Sequence, residues 1–263
     1  MKIGIVGLGV VGSACKAGFE KCGYAVKVHD PKLFTNLNDL IDSEIVYICV
    51  PTPAKQDGTC DSSIVHETIV EIMRLGYEGI IAIKSTITPG TTQDFIERYS
   101  DKIVFVPEFL KERSAEYDFV FDHKLLLVGT ENVNHYYVVI RSHGDMPKSQ
   151  MRVTPTEAEM MKYYHNTFNA TRIVFSNIMF ELCAKKDADY DKVKEAFLLN
   201  NGMPDEYLDV SKDLRGYGGA CLPKDVKAMQ KFCEQNKLPY EFFKMLDCEN
   251  QKFPTTVFEG MRK

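Results

Sequence analysis

Apolar runs alternate along this chain with stretches whose apolar residues recur every three or four positions, starting at the second residue. Residues 2–6 read as a buried strand, 13–22 as a helix and 25–29 as a second strand ending at Asp30. Further strands are predicted at 44–50, 80–84, 103–106 and 124–128, separated by helical periods at 62–75, 91–99 and 132–142. Such alternation predicts a parallel, doubly wound α/β sheet, whose ligands sit beyond the carboxyl ends of its strands. Thr154, Pro155 and Glu157 then supply an N-cap, a first-turn proline and a first-turn acid. The helical pattern runs on to about residue 187, about 30 residues and roughly 50 Å at the helical rise, a length expected to span domains. Its stripe of Met161, Tyr164, Phe168, Phe175, Ile178 and Leu182 reads as core packing plus a dimer seam. Shorter helices at 191–199, 223–235 and 239–251 complete a small all-α part, so the expected division is 1–153 and 154–263.

The first turn carries a glycine pattern, Gly7-Leu8-Gly9-Val10-Val11-Gly12. Three glycines permit a tight turn, the approach of a pyrophosphate and close helix packing, and the helix start offers free N–H donors to an anion. Asp30, closing the second strand, suits the two ribose hydroxyls of NAD and repels the extra phosphate of NADP. The N-terminal half is therefore expected to be a Rossmann-type NAD domain. The alternative is a glycine-rich turn in a domain of the same shape that binds nothing.

Composition removes several other classes. The 263 residues are 44% hydrophobic, enough for real cores, and the net charge of −5 offers no basic field for nucleic acid. No apolar run approaches the ~20 residues of a membrane span, and the first residues run straight into the predicted strand, so a soluble protein is expected. Eight cysteines, at 15, 22, 49, 60, 183, 221, 233 and 248, contain no C-x-x-C pair. They read as reduced thiols of a cytoplasmic protein, with neither a metal site nor a disulfide framework.

Chemistry concentrates at 216–225, Gly-Tyr-Gly-Gly-Ala-Cys-Leu-Pro-Lys-Asp. Gly216, Gly218 and Gly219 let backbone lie against a ligand, Lys224 favours the thiolate of Cys221, and Asp225 adds a base. The plainer reading is a buried small thiol before a surface helix. On the long helix Lys162 stands one turn before Asn166, a cation and an amide able to stabilise an oxyanion, or else surface decoration. After the strand at 103–106, Glu108 and Glu112 are four apart and reach one pocket if the segment turns helically, Glu112 activating water that Glu108 orients, or else they are two solvated charges beside Lys111. Thr86 with Pro89-Gly90 is equally a site hydroxyl or ordinary turn chemistry.

Together these segments resemble the UDP-glucose/GDP-mannose 6-dehydrogenase family. Gly-Gly-Ala-Cys-Leu-Pro-Lys-Asp is similar to its active-site signature, Val50-Pro51-Thr52-Pro53 to its V-P-T-P loop, 57–61 to the aspartate-bearing segment that follows, and Ser85-Thr86 through Gly90 to its S-T-x-x-P-G turn. Residues 107–112 match P-E-F-L-[KR]-E, and Lys162 and Asn166 match K-x-x-x-N. Arg113 stands where the family has glycine, Asn200-Asn201-Gly202 lacks the arginine of R-I-G, and the segment from Asp30 to Glu44 is short. Members continue into a further α/β domain, so the resemblance covers two of three domains. It implies that Pro51, Thr52, Thr86, Glu112 and Lys224 face NAD. It also implies that Glu108, Phe109, Leu110, Lys111, Lys162, Asn166, Gly218, Gly219 and Cys221 face a nucleotide sugar. The implied reaction is oxidation of the sugar C6 alcohol in two hydride steps, with Asp225 as base, Lys162 and Asn166 on the oxyanion, Cys221 as nucleophile, and Glu112 with Thr86 placing water. Two rivals stay open: a β-hydroxyacid or 6-phosphogluconate type dehydrogenase, and a binding protein for NAD or a sugar nucleotide that turns nothing over.

Overall fold

The computed structural model describes residues 1–254; residues 255–263, the tail of the second expected domain, lie outside the described residues. The described chain forms two compact units, residues 1–55 with 60–162, and residues 56–59 with 163–254.

The first unit is a seven-stranded sheet built from β1 (Lys2–Val6), β2 (Ala25–His29), β3 (Ile45–Ile48), β4 (Ile80–Ile83), β5 (Ile103–Phe105), β6 (Leu126–Gly129) and β7 (Gln150–Val153). The strands lie in the order β2-β1-β3-β4-β5-β6-β7. Between them run α1 (Val10–Lys21), α2 (Ser63–Arg74), α3 (Thr91–Arg98), α4 (Ala115–Val120) and α5 (Val133–His143). Side chains alternate faces along each strand, and both faces of the inner strands β3 to β6 are buried. Ile3, Ile5, Ile45 and Tyr47 pack with Phe19, Phe119 and Val139 of α1, α4 and α5. Val46, Ile48, Ile81 and Ile83 pack with Ile69, Phe95 and Ala158.

The sheet departs from the all-parallel expectation at one place. β6 meets β5 antiparallel, through the single pair Phe105 and Gly129. Between β5 and β6 the chain makes an extended segment and the six-residue α4, which periodicity did not predict. β7 was also unpredicted, because its residues Gln150, Met151 and Arg152 are exposed and show no apolar pattern.

The long helix α6 (Pro155–Lys185) begins as expected, with a reciprocal cap: Thr154 N–H donates to Glu157 Oε2 at 2.7 Å and Glu157 N–H to Thr154 Oγ1 at 3.3 Å. In the second unit it is followed by α7 (Tyr190–Asn201), α8 (Leu222–Gln235) and α9 (Phe242–Asn250). Ala170 and Val174 pack with Tyr217, Val226, Leu246 and Phe253. The predicted stripe is not this core face. Tyr164, Phe168, Phe175 and Leu182 are 69%, 47%, 58% and 54% exposed, and only Met161 of the stripe's ends joins the sheet's core. The helix has two apolar faces, and its smaller residues are the ones that let α8 and α9 approach. Among the described residues no helix is long and apolar enough to cross a membrane.

Candidate active site

In the first unit the glycine turn, 49–52, 84–86 and 106–108 leave the carboxyl ends of β1, β3, β4 and β5, four adjacent strands. That rim is where an open α/β sheet holds its ligand. Gly7 has φ +89°, and a Cβ there would meet the Cys49 carbonyl oxygen at 2.7 Å; a Cβ on Gly12 would lie 1.9 Å from the Gly7 carbonyl oxygen. Gly9, the N-cap of α1, faces open space instead and brings no side chain to cap the helix start. Backbone donors beside Val10 and Val11 are thereby left accessible to a phosphate. Asp30 closes the other side: Oδ2 accepts from Leu8 N–H at 2.7 Å and Oδ1 from Lys32 N–H at 2.9 Å. Those two hydrogen bonds hold its carboxyl below the usual carboxylate range. The pattern fits a dinucleotide with free ribose hydroxyls.

Ser85 Oγ donates to the Val50 carbonyl at 2.7 Å, tying the half-buried Thr86 to the turn at Pro51 and Thr52. The Thr86 carbonyl also accepts from Cys60 Sγ at 3.3 Å. Glu108 and Glu112 do not share a helical turn. Residues 107–111 run without helix, Lys111 is extended with its N–H on Asp118 Oδ2 at 2.9 Å, and a 3₁₀ turn starts only at Glu112. Glu112 is consequently exposed, while the Glu108 side chain is only 11% exposed. Lys162 Nζ donates to Glu108 Oε1 at 2.9 Å and to its carbonyl oxygen at 2.6 Å, and Leu110 N–H donates to Oε2 at 2.8 Å. Burial opposes ionisation of Glu108, but the Lys162 ammonium, the Leu110 N–H and the Lys84 charge together outweigh it and hold the carboxyl below its ordinary value. The Lys162 ammonium also lies 5.7 Å from the centre of the Phe109 ring.

In the second unit Asp225 is fully buried. Its Oδ2 accepts from Asn166 Nδ2 and its Oδ1 from Lys224 Nζ, each at 2.5 Å. The cation expected to favour the Cys221 thiolate is thus also an ion-pair partner of Asp225. Cys221 is the N-cap of α8 and is exposed, unlike Cys15, Cys60, Cys183 and Cys233. In the arch before it, Gly216 and Gly219 take positive φ, +59° and +76°, whereas Gly218 does not.

Pattern reading missed the groups that fix these loops. Glu159, fully buried on α6, accepts from Gly90 N–H at 2.5 Å, Thr92 N–H at 2.8 Å and Thr92 Oγ1 at 2.6 Å, anchoring the turn after Thr86. Asn177 Oδ1 accepts from Arg215 Nε at 2.7 Å and Gly216 N–H at 3.2 Å. Asn250 accepts from Tyr217 N–H at 2.7 Å and donates to its carbonyl at 2.9 Å. A buried acid or amide on the apolar side of a helix was the available signal. No group of three or more His, Cys, Asp or Glu side chains that could hold a metal lies among the described residues.

Residues 32–142 match the UDP-glucose/GDP-mannose dehydrogenase family's NAD binding domain, and residues 156–252 match the same family's central domain. A UDP-glucose 6-dehydrogenase of Rickettsia felis is 27% identical over 237 residues, covering 86% of this chain and 52% of that protein. The chain spans about half the length of the curated relatives it matches. In fold it is similar to a UDP-glucose dehydrogenase of Pyrobaculum islandicum, with a TM-score of 0.83 at 23% identity over 95% of this chain and 68% of that one. It is also similar to a 3-hydroxyisobutyrate dehydrogenase of Mycobacterium tuberculosis, with a TM-score of 0.78 at 13% identity over 95% of this chain and 92% of that one. Because two domain models of one family match in order along a single chain, the protein belongs to the UDP-glucose/GDP-mannose dehydrogenase family.

Proposed function

We propose that the protein is an NAD-dependent nucleotide-sugar 6-dehydrogenase, most like UDP-glucose 6-dehydrogenase, that takes the sugar C6 alcohol to the carboxylate. The observation that carries this reading is Cys221, an exposed thiol at the end of a glycine arch, one helical turn before the buried Asp225–Asn166 pair. NAD, when bound, accepts hydride. Asp225 takes the alcohol proton through water, while Lys162 and Asn166 stabilise the negative charge growing on oxygen. The aldehyde carbon then bonds to Cys221 Sγ as a thiohemiacetal, so the reactive aldehyde stays on the protein. Loss of a second hydride leaves a thioester, and water placed by Glu112 and Thr86, with Glu108 orienting, breaks the C–S bond and returns the thiol. One alcohol and one water thereby give up four electrons as two hydrides.

Counting NADH against sugar consumed tests the reading. With UDP-glucose, two NADH per sugar are expected. One NADH per substrate, with a hydroxy acid consumed in place of the sugar, would overturn it for the β-hydroxyacid reading that the 3-hydroxyisobutyrate dehydrogenase likeness favours. No NADH with any nucleotide sugar, alongside measurable NAD binding, would leave a binding protein.

The exposed stripe on α6 supports a homodimer seam. Four large apolar side chains about half exposed or more along one helix face form a patch that soluble proteins cover. Phe168→Glu is expected to move the sedimentation mass from two chains to one, and an unchanged mass would remove α6 as the seam.

A further inference from the structure

Phe34 is the most exposed of the large hydrophobic residues described, at 97%. It also sits in the left-handed region, φ 53° and ψ 29°, closing the 3₁₀ turn Pro31–Leu33. A non-glycine residue there is strained, and an unburied ring contributes nothing to the fold. The turn that presents it is nevertheless tightly closed. Leu33 N–H donates to the Asp30 carbonyl at 2.9 Å, Asp30 N–H to Thr35 Oγ1 at 2.9 Å, and His29 Nδ1 lies 2.9 Å from the Thr35 carbonyl. The ring is therefore held out, four residues from the carboxylate that suits a ribose, by a loop with its own hydrogen bonds satisfied.

We infer that Phe34 is a stacking platform for the adenine of NAD. The inference rests on the NAD reading of the glycine turn and Asp30. A ribose whose hydroxyls meet Asp30 carries its base one bond away, so adenine must settle within a sugar's width of that carboxylate. Its flat face needs an aromatic or apolar partner, while its polar edges stay hydrated. An exposed ring on a closed loop next to Asp30 meets that need without rearrangement, and the free protein carries the cost of exposure until the base covers it.

The test uses the full chain and three ligands: NAD, ADP-ribose and nicotinamide mononucleotide. Phe34→Ala is expected to raise Kd for NAD and for ADP-ribose about tenfold, the scale of one lost base–aromatic stack. Binding of nicotinamide mononucleotide, which has no adenine, stays unchanged, and Phe34→Tyr restores wild-type affinity. The melting temperature of the free Phe34→Ala variant stays at or above that of wild type. ADP-ribose binding equal to wild type in Phe34→Ala overturns the inference while leaving the NAD reading intact. So does an affinity loss not restored by tyrosine, or a change confined to oligomeric mass. Absence of NAD and ADP-ribose binding in the wild-type protein overturns both.

Discussion

Replacing Cys221 by serine is expected to cut formation of the carboxylate by about 10⁴-fold or more, the scale on which loss of a covalent nucleophile acts. The side chain is exposed at the N-cap of α8, so the change leaves no cavity and folding stability should stay within ~0.5 kcal/mol. NAD affinity should be untouched, because the glycine turn and Asp30 are unaltered. What is lost is the bond between sulfur and the aldehyde carbon, since a serine hydroxyl has far less nucleophilic anion at neutral pH than a thiol. Without that adduct the second hydride has no covalently held donor, and at most one NADH per sugar can form. Product analysis together with NADH counting checks both halves. Carboxylate made at near the wild-type rate by Cys221→Ser would dispose of the covalent route.

Lys162→Met is expected to have the largest effect on stability, about 3–5 kcal/mol at pH 7, because it strands a buried carboxylate. In the wild-type protein the folded Glu108 carboxyl lies below its ordinary value of 4.5, so its contribution is present above that value and fades as pH falls through the lower folded one. Burial is the strongest single influence on Glu108 and opposes ionisation; with the ammonium gone, burial dominates and the folded pKa moves above 4.5. The sign then reverses: the variant keeps that contribution below about 4.5 and loses it as pH rises through the new value. The gap between wild type and variant should accordingly be small near pH 4 and widen toward pH 7. Urea unfolding at several pH values reads this directly, and a gap independent of pH would refute the assignment. Glu108→Gln added to Lys162→Met should recover much of the loss, since it removes the stranded charge.

The chain hides some of its candidate site and displays the rest, for reasons of range. Gly7 through Gly12 and Asp30 were legible because a strand, a turn and a helix in sequence carry their own periodicity. Cys221, Lys224 and Asp225 were legible because five residues hold them all. Glu159 was not, because its partners Gly90 and Thr92 lie 69 and 67 residues away and nothing local requires an acid there. The antiparallel join of β5 to β6 was hidden for the same reason, since one residue pair sets it. The stripe on α6 shows a different limit. Periodicity reports that Tyr164, Phe168 and Phe175 share a face, but not that Ala170 and Val174, on another apolar face, are the ones covered.

Asn250 imposes a lower bound on how much chain the arch needs. Its amide grips both backbone groups of Tyr217, in the middle of the glycine segment, from the last residue of α9. A fragment ended a few residues earlier would retain the whole sheet, the glycine turn and every residue named in the chemistry, yet lose this grip on Tyr217. The arch therefore leans on more chain than the list of proposed reacting groups, through a helix with no chemistry of its own.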